Sequence, residues 1–335
     1  MTGTPAAPIL AAMSRFRPAA PGPVSLVALF FALLAALAAP TAAGSPGELR
    51  VAAVQLCIAP ADLASWEAYR QRITRLVERC LPYAPDLILF PEYTSAFCAL
   101  LPYGQCLEEA ESLEQALRRV LAREPLAHGL RDLFLLNSGL AERSLRELFG
   151  GLARRHGVAV GAGSWFAAQS SGGRTGLVNR ALIFDPRGAE LYSQDKVFLT
   201  AFEEEQLGLS PGRPETARPF LVDGRRVALT LCRDTFFGDW ERILRGAELW
   251  VDLKPNGQPF TAQAHAAFQR ALPARLPGAE VPYGLTLCLT GGLAGLSWEG
   301  ESFLVHWQPG GGARELARAV SPAGEDILFF TLPAR

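Results

Sequence analysis

Lysine is almost absent from this chain of 335 residues, which contains only Lys196 and Lys254. The other 30 basic residues are arginines, so a lysine is expected where a guanidinium cannot replace a compact ammonium, as in a reacting pocket. Long basic runs are missing and the formal net charge is −1, which argues against a nucleic-acid partner. The 4 histidines are widely spaced and there is no Cys-x-x-Cys pair, so we expect no metal site.

The apolar content is high enough for a sizeable core. Hydrophobic residues make up 49% of the chain and charged residues 19%, which excludes intrinsic disorder. No internal repeat and no low-complexity linker divides residues 45–335. We therefore predict one domain over 45–335 rather than two.

The N-terminal segment has the features of a secretory signal peptide. Residues 24–39 are all apolar or small, Arg15 and Arg17 precede them, and small residues follow up to Ala43. We therefore predict a targeting segment over residues 1–44 and an exported protein. The alternative is that residues 24–39 are retained and anchor the protein to the inner membrane, although a span usually needs about 20 apolar residues.

Export would affect how the cysteines are interpreted. An oxidising compartment permits disulfides, and Cys98 and Cys106 are close enough in sequence to close a small loop. If one of the 6 cysteines is kept free for chemistry, at least one further thiol must stay unpaired within a monomer.

Hydrophobic patterning predicts an α/β protein in which helices cover stacked sheets. Apolar runs predict strands over 49–56, 86–90, 158–164, 179–184, 191–197, 227–231, 249–253, 283–289, 302–307 and 327–332. Helices are predicted over 66–80, 105–123, 142–156, 239–245 and 262–275.

Three reactive side chains each lie at the end of a predicted strand. Glu92 follows a short buried strand, where partial desolvation would raise its pKa towards a value useful for proton transfer. Lys196 could stabilise an oxyanion, and Cys232 opens a strand-to-helix turn that would expose its sulfur. Taken singly, each could instead be structural: a solvated glutamate, a surface lysine paired with Asp195, or a buried thiol.

Together, the motifs around these residues resemble the nitrilase superfamily of carbon–nitrogen hydrolases. The similar motifs are Pro91-Glu92, the run Asp195–Leu199 and the run Leu231–Phe236, in that order. The resemblance covers about residues 49–332 and implies a four-layer αββα sandwich, in which two stacked mixed sheets have helices on the outside. It also implies a catalytic triad of Glu92, Lys196 and Cys232.

The chain departs from the family pattern at two places. Glu92 and Lys196 are 104 residues apart, which is longer than the family usually shows, and the surplus is the helical stretch around 104–150. We predict that this stretch forms a lid or cap. In addition, Phe237-Gly238-Asp239 stands where the family usually has Phe-Pro-Glu, so the branch stays unassigned.

The resemblance further implies supporting residues around the triad. A second glutamate shortly after the lysine often orients it; Glu203 is the first candidate and Glu204 the next. The backbone N–H of Arg233 would help to hold the oxyanion. Lys254 and Asn256, at the end of the next strand, are predicted to bind substrate.

The function that the resemblance implies is amidase-type hydrolysis of a small-molecule amide, with a nitrile as the less favoured substrate. It proceeds through a cysteine thioester, releases ammonia or an amine, and needs no metal and no organic cofactor. The family commonly forms dimers, so a homodimer is expected. Two alternatives remain: an N-acyltransferase that uses the same cysteine, and an inactive binding protein on the same fold. A papain-like cysteine protease would need a partner histidine such as His265 or His306, but neither lies in a matching motif.

Overall fold

The computed structural model describes residues 47–171, 173–257 and 261–334. The predicted targeting segment therefore lies outside the described residues. The strands are β1 (Leu49–Gln55), β2 (Cys57–Ile58), β3 (Leu87–Leu89), β4 (Ala159–Ser171), β5 (Arg174–Phe184), β6 (Glu190–Asp195), β7 (Phe220–Val222), β8 (Arg225–Leu231), β9 (Leu249–Pro255), β10 (Tyr283–Leu293), β11 (Leu296–Trp298), β12 (Phe303–Gln308), β13 (Gly312–Arg318) and β14 (Asp326–Leu332).

Seven α-helices connect and cover these strands within the described residues. They are α1 (Trp66–Cys80), α2 (Gly104–Glu108), α3 (Leu113–Leu121), α4 (Leu130–His156), α5 (Asp239–Ile243), α6 (Ala262–Ala271) and α7 (Leu276–Ala279). In the part of the chain that the structure describes, no helix is both long and apolar enough to span a bilayer.

The strands form two mixed sheets. The first has the order β14-β1-β3-β4-β5-β6, and the second has the order β13-β12-β10-β9-β8-β7, with β2 and β11 also paired to β10. In the first sheet, β1, β3 and β4 run parallel; in the second, β8, β9 and β10 do. Strands β14 and β5 in the first sheet, and β12 and β7 in the second, pair antiparallel to these parallel centres. The predicted pair of mixed sheets is confirmed.

Alternate residues of the central strands face opposite layers. In β1, Val51 and Ala53 pack in the core between the two sheets, whereas Ala52 and Val54 pack against helices outside the first sheet. Because side chains of a strand alternate between its faces, both faces of a buried strand must be apolar. A third apolar cluster joins the outer face of the second sheet to α5, to α7 and to Leu272, the residue that follows α6, which completes four layers.

Helix α1 shows how local sequence sets one of these outer layers. Ser65 caps its N-terminus by accepting a hydrogen bond from the Ala68 N–H at 3.1 Å. The buried face of the helix has apolar residues at spacings of three and four, and these are Tyr69, Ile73, Leu76, Val77 and Cys80. The prediction over 66–80 is confirmed.

The stretch around 104–150 differs in detail from the prediction. The helix predicted over 105–123 is divided into α2 and α3, because Ser112 caps a new helix by accepting from the Gln115 N–H at 3.2 Å. The helix predicted over 142–156 begins earlier, at Leu130. Its buried face joins the apolar cluster outside the first sheet. Strand β13 was not predicted, because its side chains are mostly exposed and carry no apolar alternation.

Candidate active site

The three predicted catalytic residues each follow the end of a strand. Glu92 lies three residues after β3, Lys196 directly after β6 and Cys232 directly after β8. The backbone N–H of Lys196 donates to the carbonyl of Asn179 in the neighbouring strand at 2.8 Å. Side chains at such positions are held by the sheets while they face the space beyond the strand ends.

A close approach of two backbones fixes the segment that carries Glu92. Gly163 in β4 has a φ of +68°, and a Cβ atom there would lie 2.0 Å from the carbonyl oxygen of Pro91. Only glycine therefore permits this contact. Next to it, the Tyr93 N–H donates to Ser164 Oγ at 3.0 Å, which ties the segment to β4.

Lys196 forms a buried ion pair with two glutamates. Its Nζ lies 3.0 Å from Glu92 Oε1 and 2.8 Å from Glu203 Oε2, and all three residues are at most 1% exposed. Burial acts to lower the pKa of Lys196, but the two carboxylates outweigh it and raise the pKa above its ordinary value. The lysine therefore stays charged and serves as a fixed cation.

Of the two glutamates predicted to orient the lysine, the structure brings Glu203 to it and leaves Glu204 exposed to solvent. A short π-helical turn at Phe202–Gln206 directs Glu203 inward. Its carboxylate accepts hydrogen bonds from Tyr93 Oη at 2.8 Å and from the Thr200 N–H at 2.9 Å. Burial acts to raise the pKa of Glu203, but Lys196 and these donors hold it below its usual value.

The carboxylate of Glu92 is asymmetric. Oε1 accepts hydrogen bonds from Lys196 Nζ at 3.0 Å and from Asn179 Nδ2 at 2.6 Å. Oε2 is buried and, among the described residues, has no hydrogen-bond partner. Burial raises the pKa of Glu92 to about 8, although the charge of Lys196 opposes the rise. One oxygen is thus held in place while the other remains available to accept a proton.

Sequence reasoning missed Asn179, which joins both carboxylates. Its Nδ2 donates to Glu92 Oε1 at 2.6 Å and to Glu203 Oε1 at 3.0 Å, and the residue is fully buried in β5. The signal in the sequence is an amide after the apolar pair Leu177-Val178, because an amide is buried in such a strand only when it has partners.

Cys232 opens the turn after β8 with a strained backbone. Its φ of +47° lies in the left-handed region, which costs a residue with a side chain about 1–3 kcal/mol. A 3₁₀ helix, Cys232–Phe236, follows. Burial raises the pKa of the Cys232 thiol to about 12, and the nearby Glu92 adds to the rise while Lys196 opposes it. The thiol is therefore neutral at rest and needs a base to become a nucleophile.

Asp234 was quoted within a motif but not predicted as a site residue, and it ties the cysteine turn to the lysine segment. Its carboxylate accepts from the Phe198 N–H at 2.8 Å and from the Val197 N–H at 3.1 Å, both just after Lys196. Asp234 is fully buried, and burial raises its pKa to about 7 even though these backbone donors oppose the rise. The contact fixes Cys232 relative to Lys196.

Lys254 does not occupy the position that the sequence predicted for it. Its side chain is fully buried, with Nζ 2.8 Å from Asp252 Oδ2 and 3.3 Å from the carbonyl oxygen of Cys232. The ammonium also lies over the rings of Phe236 and Phe268, 4.9 Å and 4.7 Å from their centroids. This placement suits a clamp, that is, a group that holds the backbone of Cys232 in place, rather than a substrate ligand. The ammonium already forms an ion pair with Asp252 and a hydrogen bond to the Cys232 carbonyl.

A cavity of about 590 Å³ opens onto Cys232 and Lys196. Asn256, the other predicted substrate ligand, lines it, and so does the exposed Arg233, whose side chain donates to the Leu199 carbonyl. Most of the remaining wall is aromatic or aliphatic. These apolar side chains are Tyr93, Phe97, Leu100, Leu113, Leu130, Phe134, Phe166, Phe202, Leu207, Phe236, Phe268, Leu296 and Trp298.

The sequence also raised a disulfide between Cys98 and Cys106, a partner histidine for the cysteine, and the question of a metal site. All 6 cysteines are free thiols, so Cys98 and Cys106 are not joined. No histidine lines the cavity in the described residues; His265 lies beside Glu301 and His306 stacks on Tyr283. Across 47–171, 173–257 and 261–334, no group of three or more histidine, cysteine or acidic side chains is arranged to hold a metal ion.

Known proteins resemble this chain in family and in fold. The family model described as carbon-nitrogen hydrolase matches residues 50–272. A solved structure of an amidase from Nesterenkonia sp. is similar with a TM-score of 0.57 at 22% identity, over 86% of this chain and 92% of that chain. A mutant of the amidase from Nesterenkonia sp. AN1, in complex with butyramide, has a TM-score of 0.58 at 21% identity, over 86% of this chain and 92% of that chain.

A carbon-nitrogen hydrolase from Helicobacter pylori G27 has a TM-score of 0.59 at 16% identity, over 85% of this chain and 89% of that chain. No curated protein matches the sequence. The structural likenesses are too distant in sequence to transfer a substrate, but they show that the four layers are arranged as in the nitrilase superfamily.

Proposed function

The chain belongs to the carbon–nitrogen hydrolase family, within the nitrilase superfamily, and we propose that it hydrolyses an amide through a thioester on Cys232. The observation that carries this proposal is that Oε2 of Glu92 is buried and has no hydrogen-bond partner within the described part of the chain. The charge of this base acts on the neutral Cys232 thiol, and its other oxygen is paired with the fixed ammonium of Lys196. A neighbouring structure is that of an amidase in complex with butyramide, which supports an amide as the substrate class.

In the first step, Glu92 Oε2 takes the proton of the Cys232 thiol as the sulfur forms a bond to the amide carbon. The C=O π electrons move onto the oxygen, which becomes an oxyanion. Lys196 Nζ and the backbone N–H of Arg233 stabilise this charge. Lys196 can do so without giving up its proton, because two carboxylates raise its pKa.

In the second step, the oxyanion collapses and the C–N bond breaks. Glu92 returns the proton to the leaving nitrogen, so ammonia or an amine departs and the acyl group stays on Cys232 as a thioester. Water then enters, and Glu92 removes its proton as the oxygen attacks the thioester carbon. The C–S bond breaks, the carboxylic acid leaves and the Cys232 thiolate recovers a proton from Glu92.

The test is ammonia release by the purified full chain from primary amides, carbamoyl amino acids and nitriles. Cys232→Ala is expected to lose turnover while keeping the fold; residual activity above about a tenth of wild type would contradict the role. Cys57→Ala is the matched control, because Cys57 is partly exposed and does not line the cavity. It should keep full activity.

The same assay separates the two alternatives. With an added amine, an N-acyltransferase would give the amide of that amine, whereas a hydrolase gives the carboxylic acid. Mass spectrometry of the intact protein should detect an acyl adduct that Cys232→Ala lacks. An inactive binding protein would give no adduct and no product, and Cys232 would resist iodoacetamide at neutral pH.

Export and self-association belong to the proposal as well. We propose that residues 1–44 direct the chain out of the cytoplasm, or anchor it through 24–39, and that the protein forms a homodimer. Cell fractionation followed by N-terminal sequencing tests the first statement: a cut near residue 44 supports cleavage, and an uncut membrane-bound chain supports the anchor. Light scattering of the purified protein tests the second.

A further inference from the structure

We propose that the substrate is a primary amide with an extended apolar acyl group, which occupies the cavity above Cys232 and Lys196. This inference deepens the proposed function and rests on it. Three observations carry it: the size of the cavity, the character of its wall, and the enclosure of the base on the leaving-group side.

The cavity is much larger than a small amide needs. Its volume is about 590 Å³, roughly 20 times the share of one water molecule in the liquid. An acetyl-sized group would leave most of this volume filled with water against aromatic and aliphatic walls. Such walls favour an apolar occupant that displaces this water.

The extended helical stretch supplies part of the apolar wall. Leu113 begins α3, and Leu130 and Phe134 lie in the first turns of α4, within the residues that make the spacing from Glu92 to Lys196 so long. Phe236 and Phe268 line the cavity from the segments that cover the second sheet. The surplus stretch therefore shapes the acyl site, which gives a physical reason for its apolar residues.

Few polar side chains line the cavity, and most of those that do already have partners within the protein. Thr200 Oγ1 donates to Glu203 Oε2 at 3.0 Å, and Tyr93 Oη donates to the other oxygen of that carboxylate. The Arg233 guanidinium donates to the Leu199 carbonyl. No acidic side chain lines the wall in the described residues. An acyl group bearing an ammonium would have no counter-charge there.

The base that serves the leaving group is enclosed by protein. Glu92 must pass its proton to the departing nitrogen, yet it is fully buried and does not line the cavity. Lys196 and Asn179 donate hydrogen bonds to its other oxygen, Oε1. A departing NH₂ group needs less room beside this enclosed base than a substituted amine does, so the inference assigns ammonia as the product.

The experiment measures kcat/KM of the full chain for straight-chain primary amides from acetamide to dodecanamide. We expect an increase of about fourfold for each methylene, levelling off once the cavity is filled. A second series places the alkyl chain on nitrogen, from N-methylacetamide to N-octylacetamide, and should be poor throughout. A flat acyl series would overturn the acyl assignment, and so would a preference for N-octylacetamide over octanamide.

A variant of Leu113 tests where the alkyl chain of the substrate lies. Leu113 is only partly buried, so Leu113→Trp should fold and narrow the cavity. We expect it to lower kcat/KM at least about tenfold for octanamide and to leave that for propanamide within about twofold. Leu117→Trp is the matched control, because Leu117 lies on the same helix and is also partly buried but does not line the cavity.

Failure of this inference can be told apart from failure of the proposed function. If Cys232 forms acyl adducts and releases ammonia equally from short and long amides, only the apolar acyl group is wrong. If no amide of any length reacts, the proposed function itself fails.

Discussion

The Nζ atom of Lys254 lies 3.3 Å from the backbone carbonyl oxygen of Cys232 and donates a hydrogen bond to it. The second lysine of the chain thus contacts the backbone of the nucleophile, while Lys196 lines the cavity together with Cys232. Cys232 has a left-handed backbone conformation, which persists only where the surroundings impose it. Lys254, held by Asp252, is one of the groups that do so.

We predict that Lys254→Met lowers kcat more than it changes KM. The change removes the clamp on Cys232 and a positive charge that opposes the rise in the pKa of the thiol. It also leaves Asp252 buried without its cation, which should cost about 3–5 kcal/mol of unfolding free energy. The double variant Asp252→Asn, Lys254→Met should recover part of this stability in urea unfolding without recovering kcat. A variant that changes KM alone would restore the role of Lys254 as a substrate ligand.

We predict that Glu203→Gln shifts the acid limb of the kcat/KM profile to lower pH. Glu92 acts as a base only when ionised, so activity should rise through its pKa of about 8. The negative charge of Glu203 raises that pKa, and its removal should lower the midpoint by roughly 1 pH unit. Glu204→Gln is the matched control, because Glu204 is exposed, and its profile should coincide with wild type. Equal shifts in both variants would refute the assignment of Glu203.

We predict the opposite shift for Asn179→Leu. The hydrogen bond from Asn179 lowers the pKa of Glu92, so its loss should move the acid limb to higher pH, again by roughly 1 pH unit. The profile is measured as for Glu203→Gln. Asn137→Leu is the control, since Asn137 donates to the Leu133 carbonyl of its own helix and is hydrogen-bonded to Tyr103, but does not line the cavity. A shift to lower pH would contradict the arrangement around Glu92.

We predict that Asp234 makes the folded state less stable as the pH rises from about 4 to about 7. Its folded pKa, about 7, is raised above the unfolded value, so in this window the folded chain holds a proton that the unfolded chain has lost. The stability difference between wild type and Asp234→Asn should fall by up to about 1.4 kcal/mol per pH unit. Urea unfolding at several pH values measures it. Asp239→Asn, on the exposed surface, is the matched control and is measured in the same way.

The sequence by itself indicated the chemical groups and the layers that carry them. Apolar runs that are followed by polar residues predicted the central strands, because a strand between two packed layers must be apolar on both faces. Glu92 and Cys232 follow central strands of different sheets, whereas Lys196 follows the edge strand β6. The packing of the two sheets brings these strand ends to one cavity. Rarity of lysine pointed to both lysines of the site before any contact was known.

Only the tertiary structure decided what each group contacts. Glu203 and Glu204 are adjacent in sequence, but a π-helical turn buries the first and exposes the second. Asn179 meets Glu92 across 87 residues of chain, and Asp252 holds Lys254 away from the cavity. Which oxygen of Glu92 is free, and how large an acyl group fits, depend on packing between distant segments, and local sequence patterns do not encode such packing.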